Sequence, residues 1–350
     1  MSGQPYPIAV IPGDGIGPEV VEAELLVLAA SGVDFTFSEH PAGDAELARS
    51  GAALPAATLA AAKAAQAVVF GAAGATAKDV ILRLRAELAT NVNLRPAKAY
   101  AGAPCLRPET DLIVVRENSE GLYVGREELV EPGMATATRL ITDRASFAIA
   151  RYALQYAADN GYNKVTAVHK VNVLQITDQV FLDACRRAAA EFPQLSYEEA
   201  LVDSVAMRMV LRPSDFQVMV TTNLFGDILS DLAAGLIGGL GLCPSANLGP
   251  QHALFEPVHG SAPDIAGQGR ANPAAAILCG AMLLRHLGHR DEAARVEAAL
   301  TACLAAGQTT PDLGGRLSTM DMARAVTQRI EARAGAPRSG PGGGAKHPKA

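Results

Sequence analysis

Short apolar runs alternate along the chain with longer stretches of helical spacing. Ile8–Ile11 is a run of strand length that stops at Pro12-Gly-Asp-Gly-Ile-Gly17, and a helix is expected from about Pro18 to Ala30. Phe35–Phe37 reads as a strand, the Ala-rich stretch Pro55–Ala65 as a helix and Ala67–Phe70 as the next strand. Leu112–Val115, Val165–Val168 and Val218–Thr221 are further strand-like runs. Helices are expected from about Asp143 to Asn160, ended by Gly161, and from a cap at Thr177-Asp178 to about Phe192. A third runs from Pro273 to Leu287, with two more behind it. Residues 124–140 follow neither period and, with Glu131-Pro-Gly133 as a turn, read as irregular or hairpin-like. Strands alternating with helices indicate an α/β fold.

Composition narrows the classes. The chain has 350 residues, 49% of them hydrophobic, which allows a large core and two domains. Charged residues make up 19% and the formal net charge is -6, with no basic stripe, which argues against a nucleic-acid partner. Apolar stretches are interrupted well before membrane-spanning length, and the first residues lack the basic start and cleavage pattern of a signal peptide. Five scattered cysteines without C-x-x-C spacing make a disulfide framework or zinc site improbable and fit a reducing cytoplasm. Residues 336–350, rich in Gly and Pro, are expected to be a flexible tail.

The candidate chemistry begins at Asn223-Leu-Phe-Gly-Asp-Ile-Leu-Ser-Asp231, just behind a strand. On a helix, Asp227 and Asp231 share one face, and two carboxylates so close favour a hard divalent cation such as Mg2+ or Mn2+. The bland alternative is two solvated surface acids; the position at a strand's carboxyl end favours the metal. Arg85, Arg95 and Arg116 suit bidentate recognition of carboxylates, although any one of them could pair with Glu87, Glu109 or Glu117 instead. Lys170 and Asn172 are two apart in a segment read as extended, so both would enter one pocket. Glu256–Gly267 is rich in small residues that let backbone approach phosphates, and an acid there can bind ribose hydroxyls. Gly13, Gly15 and Gly17 form a tight loop, but Pro18 breaks G-x-G-x-x-G, so this is not a Rossmann fingerprint.

Taken together these segments resemble the β-decarboxylating dehydrogenases, the family of isopropylmalate, isocitrate, homoisocitrate and tartrate dehydrogenases. The matching motifs occur in family order over residues 8 to about 330. They are Ile11-Pro-Gly-Asp-Gly-Ile-Gly-Pro-Glu19, Asn93-Leu-Arg-Pro96, Val115-Arg-Glu-Asn-Ser-Glu-Gly-Leu-Tyr123, His169-Lys-Val-Asn172, Thr222–Asp231 and Glu256–Gly267. The resemblance implies a two-domain isocitrate/isopropylmalate dehydrogenase-like α/β fold, not Rossmann, with mixed sheets flanked by helices. Residues 1–90 plus 238–335 would form the cofactor-side domain, and 91–237 the second, carrying the dimer contacts and an arm at 124–140.

It also implies roles. Arg85, Arg95 and Arg116 hold substrate carboxylates, and Tyr123 protonates the carbon left after CO2 departs. Asp227 and Asp231 bind the metal on one subunit. Lys170, the base, and Asp203, a third metal ligand, reach in from the partner of a homodimer with shared active sites. A base lysine needs a depressed pKa, which partial burial and nearby cations would supply. Asn172 lies near the nicotinamide, and His259, Gly260, Ser261, Ala262, Asp264, Ile265 and Asn272 belong to the cofactor loop. NADP-using relatives carry Lys and Tyr where this chain has Asp264 and Ile265, so NAD is favoured, with Arg270 as a nearby cation.

The resemblance further implies that the segment before Arg85 reads the substrate's variable group. Val80, Ile81 and Leu82, with Val173 of the partner subunit, would form an apolar pocket, with core as the equal alternative for each, and homoisocitrate-type relatives carry an arginine where this chain has Leu82. The expected reaction is NAD-dependent oxidative decarboxylation of 3-isopropylmalate to 4-methyl-2-oxopentanoate, a step of leucine biosynthesis. Homoisocitrate or isocitrate is the alternative substrate. A non-catalytic regulatory subunit is the alternative from another class, disfavoured because Tyr123, Lys170, Asp203, Asp227 and Asp231 are all present.

Overall fold

The computed structural model describes residues 4–334; the tail expected at 336–350 lies outside them. The strands are β1 (Tyr6–Gly13), β2 (Phe35–Glu39), β3 (Ala67–Ala72), β4 (Val92–Lys98), β5 (Asp111–Glu117), β6 (Glu127–Glu131), β7 (Met134–Ala137), β8 (Lys164–His169), β9 (Ser196–Leu201), β10 (Val218–Thr221), β11 (Pro244–Leu248) and β12 (Ala253–Pro257). The helices are α1 (Gly17–Ala29), α2 (Asp44–Ser50), α3 (Ala56–Ala64), α4 (Arg83–Glu87), α5 (Asp143–Asp159), α6 (Thr177–Ala190), α7 (Val202–Leu211), α8 (Asn223–Ile237), α9 (Ala274–His286), α10 (Arg290–Ala305) and α11 (Thr319–Ala334). A π-helical turn, Lys78–Leu82, leads into α4.

Ten strands form one mixed sheet in the order β2-β1-β3-β12-β11-β4-β5-β10-β8-β9. The pairs β11·β12, β11·β4 and β4·β5 are antiparallel and the others parallel. Helices cover both faces, so the central strands are buried on both sides: every residue of β3 and β10 is buried. Alternation along β1 splits its side chains, with Ile8 and Val10 in the main core and Ala9 and Ile11 in a second cluster with Phe70, Val80 and Leu84. The strands β2, β1, β3, β12 and β11 come from segments 1–90 and 238–335, and the other five from 91–237. The two sets meet at β11·β4.

Residues 124–140 form the β6–β7 hairpin, exposed throughout its two strands. All five cysteines are free. Among the described residues no helix is long and apolar enough to cross a membrane.

Two local expectations are corrected. Thr177 and Asp178 do not cap α6: its N-cap is Ile176, without a side-chain bond. Asp178 is instead buried and ion-paired to Arg139 at 2.6 Å, and the Thr177 hydroxyl accepts from Arg139 Nη1 at 2.5 Å. A cationic partner from the 139 segment outcompetes the helix end for both side chains. Lys170 and Asn172 are not on an extended strand, because the Val173 and Leu174 amides donate back to the Lys170 carbonyl at 2.9 and 2.8 Å and close a turn. The period-2 argument for their shared direction therefore fails.

Candidate active site

The centre of the site is built where β4, β5 and α8 meet. Arg95 stands on β4 and Arg116 near the end of β5, both buried. The helix α8 lies flat over Arg116 because residue 226 is glycine: a Cβ there would stand 2.7 Å from Arg116 Cβ and 2.3 Å from Thr221 Oγ1. This close approach brings Asp227 onto the arginines. Asp227 Oδ1 accepts from Arg116 Nη1 in a short contact and from Arg95 Nη1 at 3.2 Å. Its other oxygen accepts the Tyr123 hydroxyl, also short. One turn on, Asp231 lies 3.7 Å from Arg95 Nη1. Arg116 is held further by Asn223, whose carbonyl and side-chain oxygen accept at 3.0 and 2.7 Å. Arg95 also donates to Ser230 at 2.7 Å.

The electrostatics follow from this crowding. Burial, and then the neighbouring Arg95, bring the Arg116 guanidinium down to about 10. Burial, and then Arg85, lower Arg95. Burial pushes the Asp227 carboxyl up, but Arg116, the Tyr123 hydrogen bond and Arg95 together outweigh it and hold it below the usual range. Asp231 is raised by burial, which outweighs the lowering by Arg95; repulsion from Asp227 adds a smaller upward push. Burial and the bond to Asp227 raise Tyr123, while the Arg116 guanidinium lies over its ring, 4.9 Å from the centroid.

Arg85 completes the group from α4. Its guanidinium donates to Glu256 at 2.5 and 3.1 Å. Glu256 is thus turned to Arg85 and Asn247, and the suggestion that an acid of this segment serves a ribose does not hold for it. None of the three arginines pairs with Glu87, Glu109 or Glu117: Glu87 meets Lys63, and Glu117 accepts from Ser119.

Three cavities run past these residues. One of about 380 Å³ is lined by Leu82, Arg85, Asn118 and Tyr123 among others. A second, about 160 Å³, shares Arg85 and adds Ile81, Arg95, Glu256, His259 and Gly260. A third, about 280 Å³, shares His259 and is walled by Ile16, Ile265, Arg270, Asn272 and Asp312. Of the apolar set, Ile81 and Leu82 reach cavities, whereas Val80 is fully buried against β3 and β12 residues and faces none. The wide π turn sets that rotation. Val173 is exposed on the turn beyond β8.

On the loop behind β12, the Ser261 carbonyl accepts from the Ile16 amide at 2.9 Å. A Cβ on Gly15, at φ +59°, would stand 1.9 Å from that carbonyl oxygen, so only glycine lets the two loops meet. Ala262 adopts φ +38°. Burial lowers His259, and its buried Nε2 has no partner among the described residues. Asp264 is exposed, and Ile265 packs on Ile16 and Ala271. The Asn272 amide is engaged inside the fold, accepting from the α9 amide of Ala274 at 2.9 Å and donating to Asp312 at 3.0 Å.

Lys170 and Asp203 stand apart from this group and pair with each other at 2.7 Å, so within one chain the lysine's neighbour is an anion and not the expected cations. Asn172 is exposed beside them and lines none of the three cavities. Among the described residues of a single chain, no three His, Cys, Asp or Glu side chains converge as a metal site. Ser230, Asn247 and Asp312 escaped sequence reasoning. Ser230 lies inside the aspartate motif. Asn247, with Ser245, is polar at alternate positions of a buried strand, a signal that could have been read.

Fold and site together define a member of a dehydrogenase family: the isocitrate/isopropylmalate dehydrogenase model matches residues 7–326, and the chain belongs to that family. It is 55% identical to the 3-isopropylmalate dehydrogenase of Methanothermobacter thermautotrophicus, over 93% of this chain and 98% of that protein. It is 46% identical to the isocitrate/homoisocitrate dehydrogenase of Thermus thermophilus, over 93% and 99%. The crystal structure of isocitrate dehydrogenase from Methylococcus capsulatus superposes with a TM-score of 0.90 at 43% identity, over 93% and 99% of the two chains.

Proposed function

We propose that the chain is a 3-isopropylmalate dehydrogenase, carrying out NAD- and divalent-metal-dependent oxidative decarboxylation as a homodimer with shared sites. The observation that carries the reading is the convergence of Arg95, Arg116 and Tyr123 on Asp227, beside Asp231. The residues present fit a hard cation: Asp227 and Asp231 offer carboxylate oxygens on one helix face, and burial raises the Asp231 carboxyl, a cost of ionisation that a bound cation would offset. Bound there, with Asp203 of a second subunit completing the set, Mg2+ or Mn2+ would supply Lewis acidity towards the hydroxyl and the ketone derived from it. The orphaned Nε2 of His259 and the Gly15–Ser261 junction fit a dinucleotide, which would accept the hydride.

The chain's own groups do the rest. Arg85, Arg95 and Arg116 grip the carboxylates and fix the acid's orientation. Lys170 of a second subunit takes the hydroxyl proton. Tyr123, kept protonated by burial and by Asp227, returns a proton to the carbon that loses CO2. Leu82 and Ile81, on cavity walls, suit an isopropyl group, with Val173 of a second subunit on the other side. Exposed apolar side chains on α7 (Met207, Val210, Leu211), α8 (Ile228) and the β6–β7 arm (Leu129, Val130, Met134) support a subunit interface there. The proposed domains are 1–90 with 238–335, and 91–237, hinged where β4 meets β11. Free cysteines suit the cytoplasm.

The test is kcat/KM of the purified protein with NAD and Mn2+ on 3-isopropylmalate, homoisocitrate and isocitrate. Preference for 3-isopropylmalate is expected; a strong preference for homoisocitrate overturns the substrate assignment.

A further inference from the structure

Asn247 is the next-to-last residue of β11, fully buried, touching none of the groups given a chemical role above. It is nevertheless the junction of a closed ring of hydrogen bonds. Arg85 donates to Glu256 Oε1 from Nη2 at 2.5 Å and from Nε at 3.1 Å. The same oxygen accepts from Asn247 Nδ2 at 2.6 Å. Asn247 Oδ1 accepts from Asn118 Nδ2 at 3.1 Å and from Asn93 Nδ2 at 2.9 Å. Asn118 Nδ2 also donates to the Thr90 carbonyl at 3.0 Å. Thr90 closes the ring, its amide and hydroxyl donating to the Arg85 carbonyl at 3.0 and 3.1 Å.

We propose that Asn247 is a positioning residue that aims Arg85 at the substrate and ties it to the segment leading to Tyr123. This rests on the reading of Arg85 as a grip for a substrate carboxylate. The chemistry at position 247 admits few solutions. The Glu256 carboxylate only accepts, so residue 247 must donate to it. The side-chain amides of Asn93 and Asn118 both donate, so the same residue must also accept twice. A planar carboxamide does both at once; an aspartate of the same shape has no donor and sets a second anion against Glu256. The ring also holds Arg85 at both ends, its guanidinium through Glu256 and its carbonyl through Thr90. It crosses from β12 and β11 to Asn118 beyond β5, so the strands on the two sides of the β4·β11 pair act on one arginine. Arg85 walls the Leu82–Tyr123 cavity and, beside Arg95, the Arg95–His259 cavity, but not the cavity walled by Ile265, Arg270 and Asn272, so a turned guanidinium changes how the acid is held more than how the dinucleotide is held.

The test uses full-length protein with NAD, Mn2+ and 3-isopropylmalate, comparing Asn247→Asp with wild type. The KM for the hydroxy acid is expected to rise roughly tenfold or more while the KM for NAD stays within about twofold and kcat falls less than KM rises. Added to Arg85→Lys, Asn247→Asp is expected to cost less than about twofold further, because both act through one guanidinium. Asn118→Leu breaks the next link, is expected to shift the same KM in the same direction by less, and serves if Asn247→Asp does not fold. An unchanged acid KM, acid and NAD KM values rising together, or full multiplicativity with Arg85→Lys would overturn the proposal. A wild type that prefers homoisocitrate sinks the substrate assignment instead, and the same split in KM is then read on that acid.

Discussion

Asp227→Asn isolates the electrostatics of the site, because it removes one charge and keeps the shape. The Arg116 and Arg95 side chains are 1% and 8% exposed, and the Asp227 side chain is 34% exposed. Removing one partner of a fully buried ion pair costs about 3–5 kcal/mol. Water reaches Asp227, the amide can still accept one hydrogen bond, and Arg116 keeps both Asn223 oxygens, so the expected loss is about 2–3 kcal/mol. For a chain of this size that corresponds to a fall in Tm of roughly 3–4 °C. The assay is thermal and urea unfolding at low ionic strength in EDTA, repeated with Mn2+. The sign with pH is determined. Asp227 is depressed below its ordinary 3.8, so its contribution is complete above that value and is lost as pH falls through the lower folded-state value. The gap between wild type and variant is therefore full at neutral pH and closes in acid. Mn2+ should raise the wild-type Tm and leave the variant nearly unmoved. Equal stability in EDTA at neutral pH, or an equal Mn2+ gain in the variant, would refute the reasoning.

Gly15→Ala forces a Cβ against the Ser261 carbonyl at φ +59°, so the cofactor loop must shift; the KM for NAD should rise about tenfold with the acid KM little changed, measured by steady-state kinetics. Tyr123→Phe keeps the ring under Arg116 but removes the proton, and kcat should fall by roughly 100-fold or more with Tm nearly retained. Leu82→Arg should lower kcat/KM for 3-isopropylmalate by about 10- to 200-fold and move the ratio towards homoisocitrate, read from paired assays on the two acids.

Much of the architecture was legible in local pattern. The run Val218–Thr221 and the helix behind it lie where expected, as do the helix over 143–159 and the hairpin inside 124–140. These elements are set by side-chain periodicity and by turn residues, which act over a few positions. The errors came where a distant group decided the outcome. Asp178 had the chemistry of a helix cap but found Arg139. Val80 had chemistry that suits pocket wall and core equally, and only its place on the π turn decides for the core. Lys170 and Asn172 followed a strand by two residues, and a turn of three backbone groups broke the alternation.

The sequence by itself determined which groups stand at which spacing: two carboxylates one helical turn apart, and an arginine at the end of a buried strand. What it left open was which charge meets which. Arg85 and Glu256 are 171 residues apart, and Arg116 and Asp227 are 111 apart. Such pairs form only once a sheet of mixed direction has brought β12, β11, β4 and β5 side by side. Hydrogen-bond geometry is satisfied within tenths of an ångström, whereas a motif specifies only order along the chain, so the site's wiring, Asn247 included, belongs to the tertiary structure.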